Sequence, residues 1–124
     1  MFGRGLNDRE LANYRHIPRA LAERVRIHAV PALPGRYVGI TLGRHVYLAT
    51  DVSDQGDSAL LAHELVHVRQ WSEQGAVPFL SGYLGSFLTS LANTRSWNRS
   101  YRAIPAEQQA RAETSRWAKG RRAP

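Results

Sequence analysis

Cysteine is absent from the 124 residues. That excludes disulfide staples and thiolate metal sites, so any metal must be held by His, Asp or Glu. A long hydrophobic run is also missing. The most apolar stretch, Val77 to Ala92, contains Pro78, three serines, a threonine and two glycines, and it is too short to span a bilayer. No apolar run follows Met1 to Gly5, so no secretory signal is expected. The expected location is the cytoplasm, or export without a recognisable signal peptide. Histidine is absent after His67, and the acidic residues beyond that point are only Glu73, Glu107 and Glu113.

What is present fits one ordinary domain spanning residues 1–124, with 43% hydrophobic residues to build a modest core. The net charge of +7 is uneven. Residues 1–94 carry nine basic and eight acidic side chains, whereas residues 95–124 carry eight basic and two acidic ones. Such a basic segment can contact nucleic acid, anionic lipid or an acidic protein, although no nucleic-acid-binding motif accompanies it and a solvated, Arg-rich terminus is the plainer reading.

Along the chain, a short helical segment is expected over 7–23, with Asn7 or Asp8 as its cap and a second piece starting at Pro18. Arg24 to Val30 alternates basic and apolar residues, as a half-buried strand does. Tyr37 to Leu42 and His45 to Ala49 are β-prone runs around Gly43-Arg44, which suits a type II′ hairpin. Ala59 to Gln74 reads as a buried helix capped by Asp57 or Ser58 and stopped by Gly75. Phe79, Leu80, Tyr83, Leu84, Phe87, Leu88 and Leu91 recur at helical spacing, a stripe expected to pack on that helix. Asn93 to Arg99 is a polar connection, a last helix runs from Pro105 to about Lys119, and residues 120–124 form a frayed basic tail. The expected class is α+β, with about three mainly antiparallel strands before a helical half. The strand His45 to Ala49 is expected at the sheet edge, along a cleft.

Chemistry concentrates in His63-Glu64-Leu65-Val66-His67. Positions i and i+4 share a helix face, so both imidazoles can reach one ion, and zinc accepts neutral imidazole nitrogen. Glu64 is placed to take a proton from a water that the metal activates and to return it to a leaving amine. An apolar helix would not bury these groups without a partner. A catalytic zinc site takes three protein ligands and leaves one position open. A downstream carboxylate is favoured as the third, since Gln70 and Glu73 stand where a metzincin pattern has glycine and histidine and His16, His28 and His45 all precede the motif. Glu73 points elsewhere. Glu107 has an ordinary role at a helix start, and Glu113 falls on an apolar face, so helix physics leaves the two open.

The stretch Ala62 to Trp71 resembles the active helix of short bacterial zincin-like metallopeptidase domains of the gluzincin type. Tyr101-Arg102-Ala103-Ile104-Pro105-Ala106-Glu107 resembles their downstream element, an aromatic residue before a Pro-x-Glu helix start. The resemblance covers roughly Tyr37 to Trp117. It implies a minimal zincin-like fold, one zinc ion per chain on His63, His67 and Glu107, and a peptide or protein substrate. Ile104 and Gln109 replace an Asn and an acidic residue that such domains often carry.

Around this motif, Gln70 is a candidate to orient a ligand. His45 is a candidate substrate contact. Tyr83 and Tyr101 are candidate donors to a developing oxyanion, with core packing as the plainer role for Tyr83. Trp71 is expected in the core and Arg69 in solvent. The expected function is a zinc-dependent metallopeptidase. The alternatives are another zinc hydrolase, such as a nuclease or amidase, and a non-catalytic adaptor that keeps zinc for stability.

Overall fold

The computed structural model describes residues 3–122. Its elements are α1 (Asp8–Asn13), α2 (Arg19–Ala22), β1 (Arg26–Ala29), a 3-10 turn at Pro34–Arg36, β2 (Gly39–Leu42), β3 (His45–Leu48), α3 (Ala59–Gln74), α4 (Ala76–Thr94), α5 (Trp97–Ala103) and α6 (Pro105–Arg122). The chain is therefore α+β, with a small three-stranded sheet before the helices. Among the described residues, no helix is long and apolar enough to cross a membrane.

Local chemistry sets the element ends. Asn7 caps α1 through a capping box, its side chain accepting from the Glu10 N–H while the Glu10 carboxylate accepts from the Asn7 N–H. The buried Glu10 carboxylate also takes two bonds from Arg4, at 2.7 and 3.0 Å. Ser58 caps α3 by accepting from the Leu61 N–H. Gly75 ends α3 and opens α4 at φ 82° and ψ 160°, a conformation essentially confined to glycine. In the hairpin, Gly43 has a positive φ of 63° and Arg44 does not, as a type II′ turn requires.

The sheet order corrects one expectation. β3 lies in the middle, with β1 parallel on one side and β2 antiparallel on the other. The hairpin can cover only one flank of β3. The chain before it returns to cover the second, pairing Arg26 with His45 and Ala29 with Leu48. The free edge is consequently β2, not His45 to Ala49, and the sheet is mixed. One face carries Ile27, Val46 and Leu48, all buried. They join Tyr14, Leu61, Leu65, Val68, Ala110 and Trp117 in one core that links sheet, α3 and α6.

The helical half departs from the sequence reading in three places. The polar connection shrinks to Arg95 and Ser96, because Arg95 adopts a left-handed φ of 53° that lets α5 start at once. α6 continues through Gly120 to Arg122, where fraying was expected. Residues 123 and 124 of the expected tail, like Met1 and Phe2, lie outside the described residues. The α4 stripe does not pack on α3 as a closed core. Phe79 is its only buried member, whereas Leu80, Leu84 and Leu88 are 41%, 54% and 60% exposed.

Candidate metal centre

α3 is buried along its middle because both of its sides are covered: β2 and β3 lie on one, α6 on the other. His63 and His67 are one turn apart on α3, with ring centroids 5.0 Å from each other. α6 runs alongside, and its first turn delivers Glu107. The Glu107 Oε1 lies 3.0 Å from His63 Nε2, and its Oε2 lies 3.1 Å from His67 Nε2. Among the described residues, His63, His67 and Glu107 form the one group whose ligand atoms gather this way, all within 4.8 Å of one another.

Three observations test whether these residues fit a divalent cation. First, one ligand atom from each residue lies within 4.8 Å of the others, against edges of about 3.3 Å for a tetrahedron with ~2.0–2.1 Å bonds. Second, His67 Nε2 is buried and has no hydrogen-bond partner, despite its closeness to Glu107. Third, the tautomer is set from behind. The Gln70 amide donates to the Ala106 carbonyl at 3.1 Å and to Gln109 Oε1 at 2.7 Å. Its oxygen therefore faces His67 Nδ1, 2.7 Å away, and accepts the ring proton. That leaves a bare lone pair on Nε2 aimed at a carboxylate. Two facing acceptors repel unless a cation or a second proton lies between them, so the three residues could hold a divalent cation.

The electrostatics agree with a charged centre. Burial opposes ionisation of Glu107, but its contacts with His63 and His67 and the Tyr83 hydroxyl outweigh burial and hold it below the usual carboxylate range. Burial also opposes charge on His67, and the contact with Glu107 again prevails, raising its pKa. The Tyr83 hydroxyl donates to Glu107 Oε2 at 2.6 Å. Burial and the neighbouring Glu107 push the Tyr83 and Tyr101 phenols well above the ordinary tyrosine range. Both tyrosines therefore stay protonated donors.

Glu64 is 5% exposed and lies on the sheet side of the histidines. Thr41 of β2 donates from Oγ1 to Glu64 Oε1 at 2.9 Å. Burial pushes the Glu64 carboxyl up, and the two histidines draw it back only in part. Gly39 makes room for this carboxylate, since a Cβ there would lie 3.2 Å from it. Beside Glu64, His67 and Glu107 opens a cleft of about 330 Å³. Its walls are β2, the inner side of α4, and Tyr37, Trp97 and Tyr101.

Other expected residues fall elsewhere. His45 is on the far face of the sheet. Its Nδ1 lies 2.9 Å from His28 Nε2, so it does not reach the cleft. β3 alternates, and the residue that faces α3 is Val46. Arg69 is not a solvated charge; it forms a fork with Glu113 and reaches Glu73 at 2.8 Å. This pairing occupies Glu113 and removes it as a metal ligand. Trp71 lines the cleft and packs against Phe79, with ring centroids 4.9 Å apart and planes tilted by 35°. Sequence reasoning missed Gly39, Thr41 and Gln109. Only Gln109 left a trace, as the replacement of an acidic residue two positions after Glu107.

No curated protein and no solved structure matches the chain. Over residues 19–75, from the start of α2 to the glycine that ends α3, it matches the model of the family described as the eCIS core domain, a span that takes in His63, Glu64 and His67 and stops before Glu107.

Proposed function

We propose that this protein is a zinc-dependent hydrolase, and specifically a zincin-like metallopeptidase of the gluzincin type. One observation carries the reading: two imidazole nitrogens and the Glu107 carboxylate converge at the mouth of a cleft, with the buried Glu64 carboxyl beside them. His63, His67 and Glu107 would hold the ion. Zinc bound there would supply a water of lowered pKa and a Lewis-acid contact for a substrate carbonyl.

The remaining roles belong to the chain. Glu64, with its pKa raised by burial, takes a proton at a carboxylate oxygen and returns it to the leaving amine. Thr41 holds that carboxylate in place. Gln70 keeps the His67 proton on Nδ1. The Tyr83 phenol keeps Glu107 bonded, and Tyr83 and Tyr101 offer O–H donors at the cleft wall. A nucleic-acid substrate suits this cleft poorly, because Glu64 and Glu107 line it and, among the described residues, neither Arg nor Lys does.

Metal analysis and turnover test the proposal together. Purified protein should carry one zinc per chain, and His63→Ala should lose it. Glu64→Gln should keep the zinc and stop cleavage of an unfolded protein such as casein. A zinc-free native protein overturns the proposal. Full activity in Glu64→Gln does the same and leaves a zinc-stabilised adaptor.

A further inference from the structure

The cleft has a composition that narrows what can occupy it. Among the described residues, the side chains that line it apart from Glu64, His67 and Glu107 are uncharged, and most are large and apolar. Leu42, Leu80, Leu84 and Trp97 stand at its rim while remaining 41–61% exposed. Packing inside the molecule does not account for them. Trp97 is held in position, its Nε1 donating to the Tyr37 hydroxyl at 3.2 Å, and its ring meets Phe87 edge-on.

The second feature is the free edge of β2. The Ala49 N–H donates to the Val38 carbonyl at 2.9 Å. Bonded pairs alternate along an antiparallel ladder, so Val38, Ile40 and Leu42 turn their peptide groups toward β3. Gly39 and Thr41 therefore turn theirs to the open side. An extended chain laid there gains backbone hydrogen bonds, and its alternate side chains point toward the apolar wall.

We propose that the cleft takes an extended polypeptide segment, pairs it with the edge of β2, and selects a bulky apolar side chain that packs on Leu84 and Trp97. This names the substrate class of the hydrolase read above, and its cleavage arm rests on that reading. The binding arm does not. A charged side chain placed against this wall loses its hydration and finds no partner there except the two carboxylates and His67.

The binding arm uses full-length Glu64→Gln protein and the fluorescence of its tryptophans, two of which, Trp71 and Trp97, line the cleft. Blocked heptapeptides that differ only at the central residue are titrated in. A central Leu or Phe should bind about tenfold tighter, or more, than Asp or Lys. Leu84→Asp should remove most of that preference. Leu88→Asp, on the same helix but outside the cleft lining, should leave it unchanged; both sites are exposed, so folding is not at stake. Equal binding of all four peptides, or an unaltered preference in Leu84→Asp, overturns the proposal. So does self-association that Leu84→Asp abolishes, because a second copy would then be the occupant.

The cleavage arm digests a mixed peptide library with wild-type protein and reads the products by mass spectrometry. Cuts beside Leu, Phe, Met or Trp support the proposal. Cuts without apolar preference overturn it and leave the hydrolase reading standing. An apolar binding preference with neither zinc nor cleavage does the reverse.

Discussion

Replacing Gln70 by leucine probes the link between the fold and the metal centre. Gln70 is 2% exposed and connects His67, Gln109 and Ala106. Leucine fills a similar volume, so little cavity cost arises. What is lost is the acceptor at His67 Nδ1 and the donor to two oxygens on α6. In metal-free protein, these buried groups left unpaired should cost about 2–3 kcal/mol of unfolding free energy. The ring proton is then free to settle on Nε2, where it must be displaced before a cation binds. Losing such a partner typically weakens metal binding ~10–100-fold, which is about 1.4–2.8 kcal/mol. Competition with a calibrated chelator gives the zinc affinity, and urea unfolding of the stripped protein gives the stability. The reasoning is refuted if zinc affinity stays within about twofold of wild type while the stability falls as expected. In that case Gln70 supports packing and not the orientation of His67.

Four further outcomes are expected. Glu107→Ala should release zinc on gel filtration, whereas Glu113→Ala should retain it, because Arg69 occupies Glu113; the reverse order would move the third ligand. Arg4→Ala leaves the Glu10 carboxylate buried with less compensation. Since Arg4 is 43% exposed and water can enter in its place, the loss should be about 2 kcal/mol in urea unfolding, below the ~3–5 of a fully buried pair. Gly75→Ala should destabilise by about 1–3 kcal/mol in the same assay, since its backbone lies where only glycine is at ease. Burial holds the His16 imidazole below the ordinary histidine value of 6.5, and its bond to the Ala62 carbonyl offsets this only in part. The unfolded chain therefore binds the proton more readily. This contribution to stability is complete above 6.5 and is lost as pH falls through the lowered folded value. Urea midpoints at about pH 7.5 and 5 should fall more for the wild type than for His16→Gln; an equal fall would rule out His16 as the cause.

Features set within a few residues were legible in the sequence. The caps at Asn7 and Ser58, the glycine stop at Gly75, the II′ turn at Gly43 and the facing imidazoles of α3 each depend on local backbone geometry. Pairing across the chain was not legible. Nothing near His45 reveals that β1 will join β3 on its second flank, so the cleft edge was assigned to the wrong strand. The Arg69–Glu113 fork joins residues 44 apart, and neither residue signals the other in sequence. The α4 stripe has the period of a core helix, but periodicity reports only that one side is apolar. It does not report whether that side meets another helix or an open cleft. Glu107 was legible by resemblance, while Thr41 and Gly39 act through a strand whose registry with α3 no local pattern encodes.

A single carboxylate, on Glu107, touches two other helices, through the histidines of α3 and the phenol of Tyr83 on α4, and its charge also acts on the Tyr101 phenol of α5. Whatever positive charge it faces is thus sensed by the entire helical half at once. Ion supply and the stiffness of the cleft walls become one variable. Amides in α4 and α5, far along the chain from the two histidines, should exchange their hydrogens more slowly once that charge is in place.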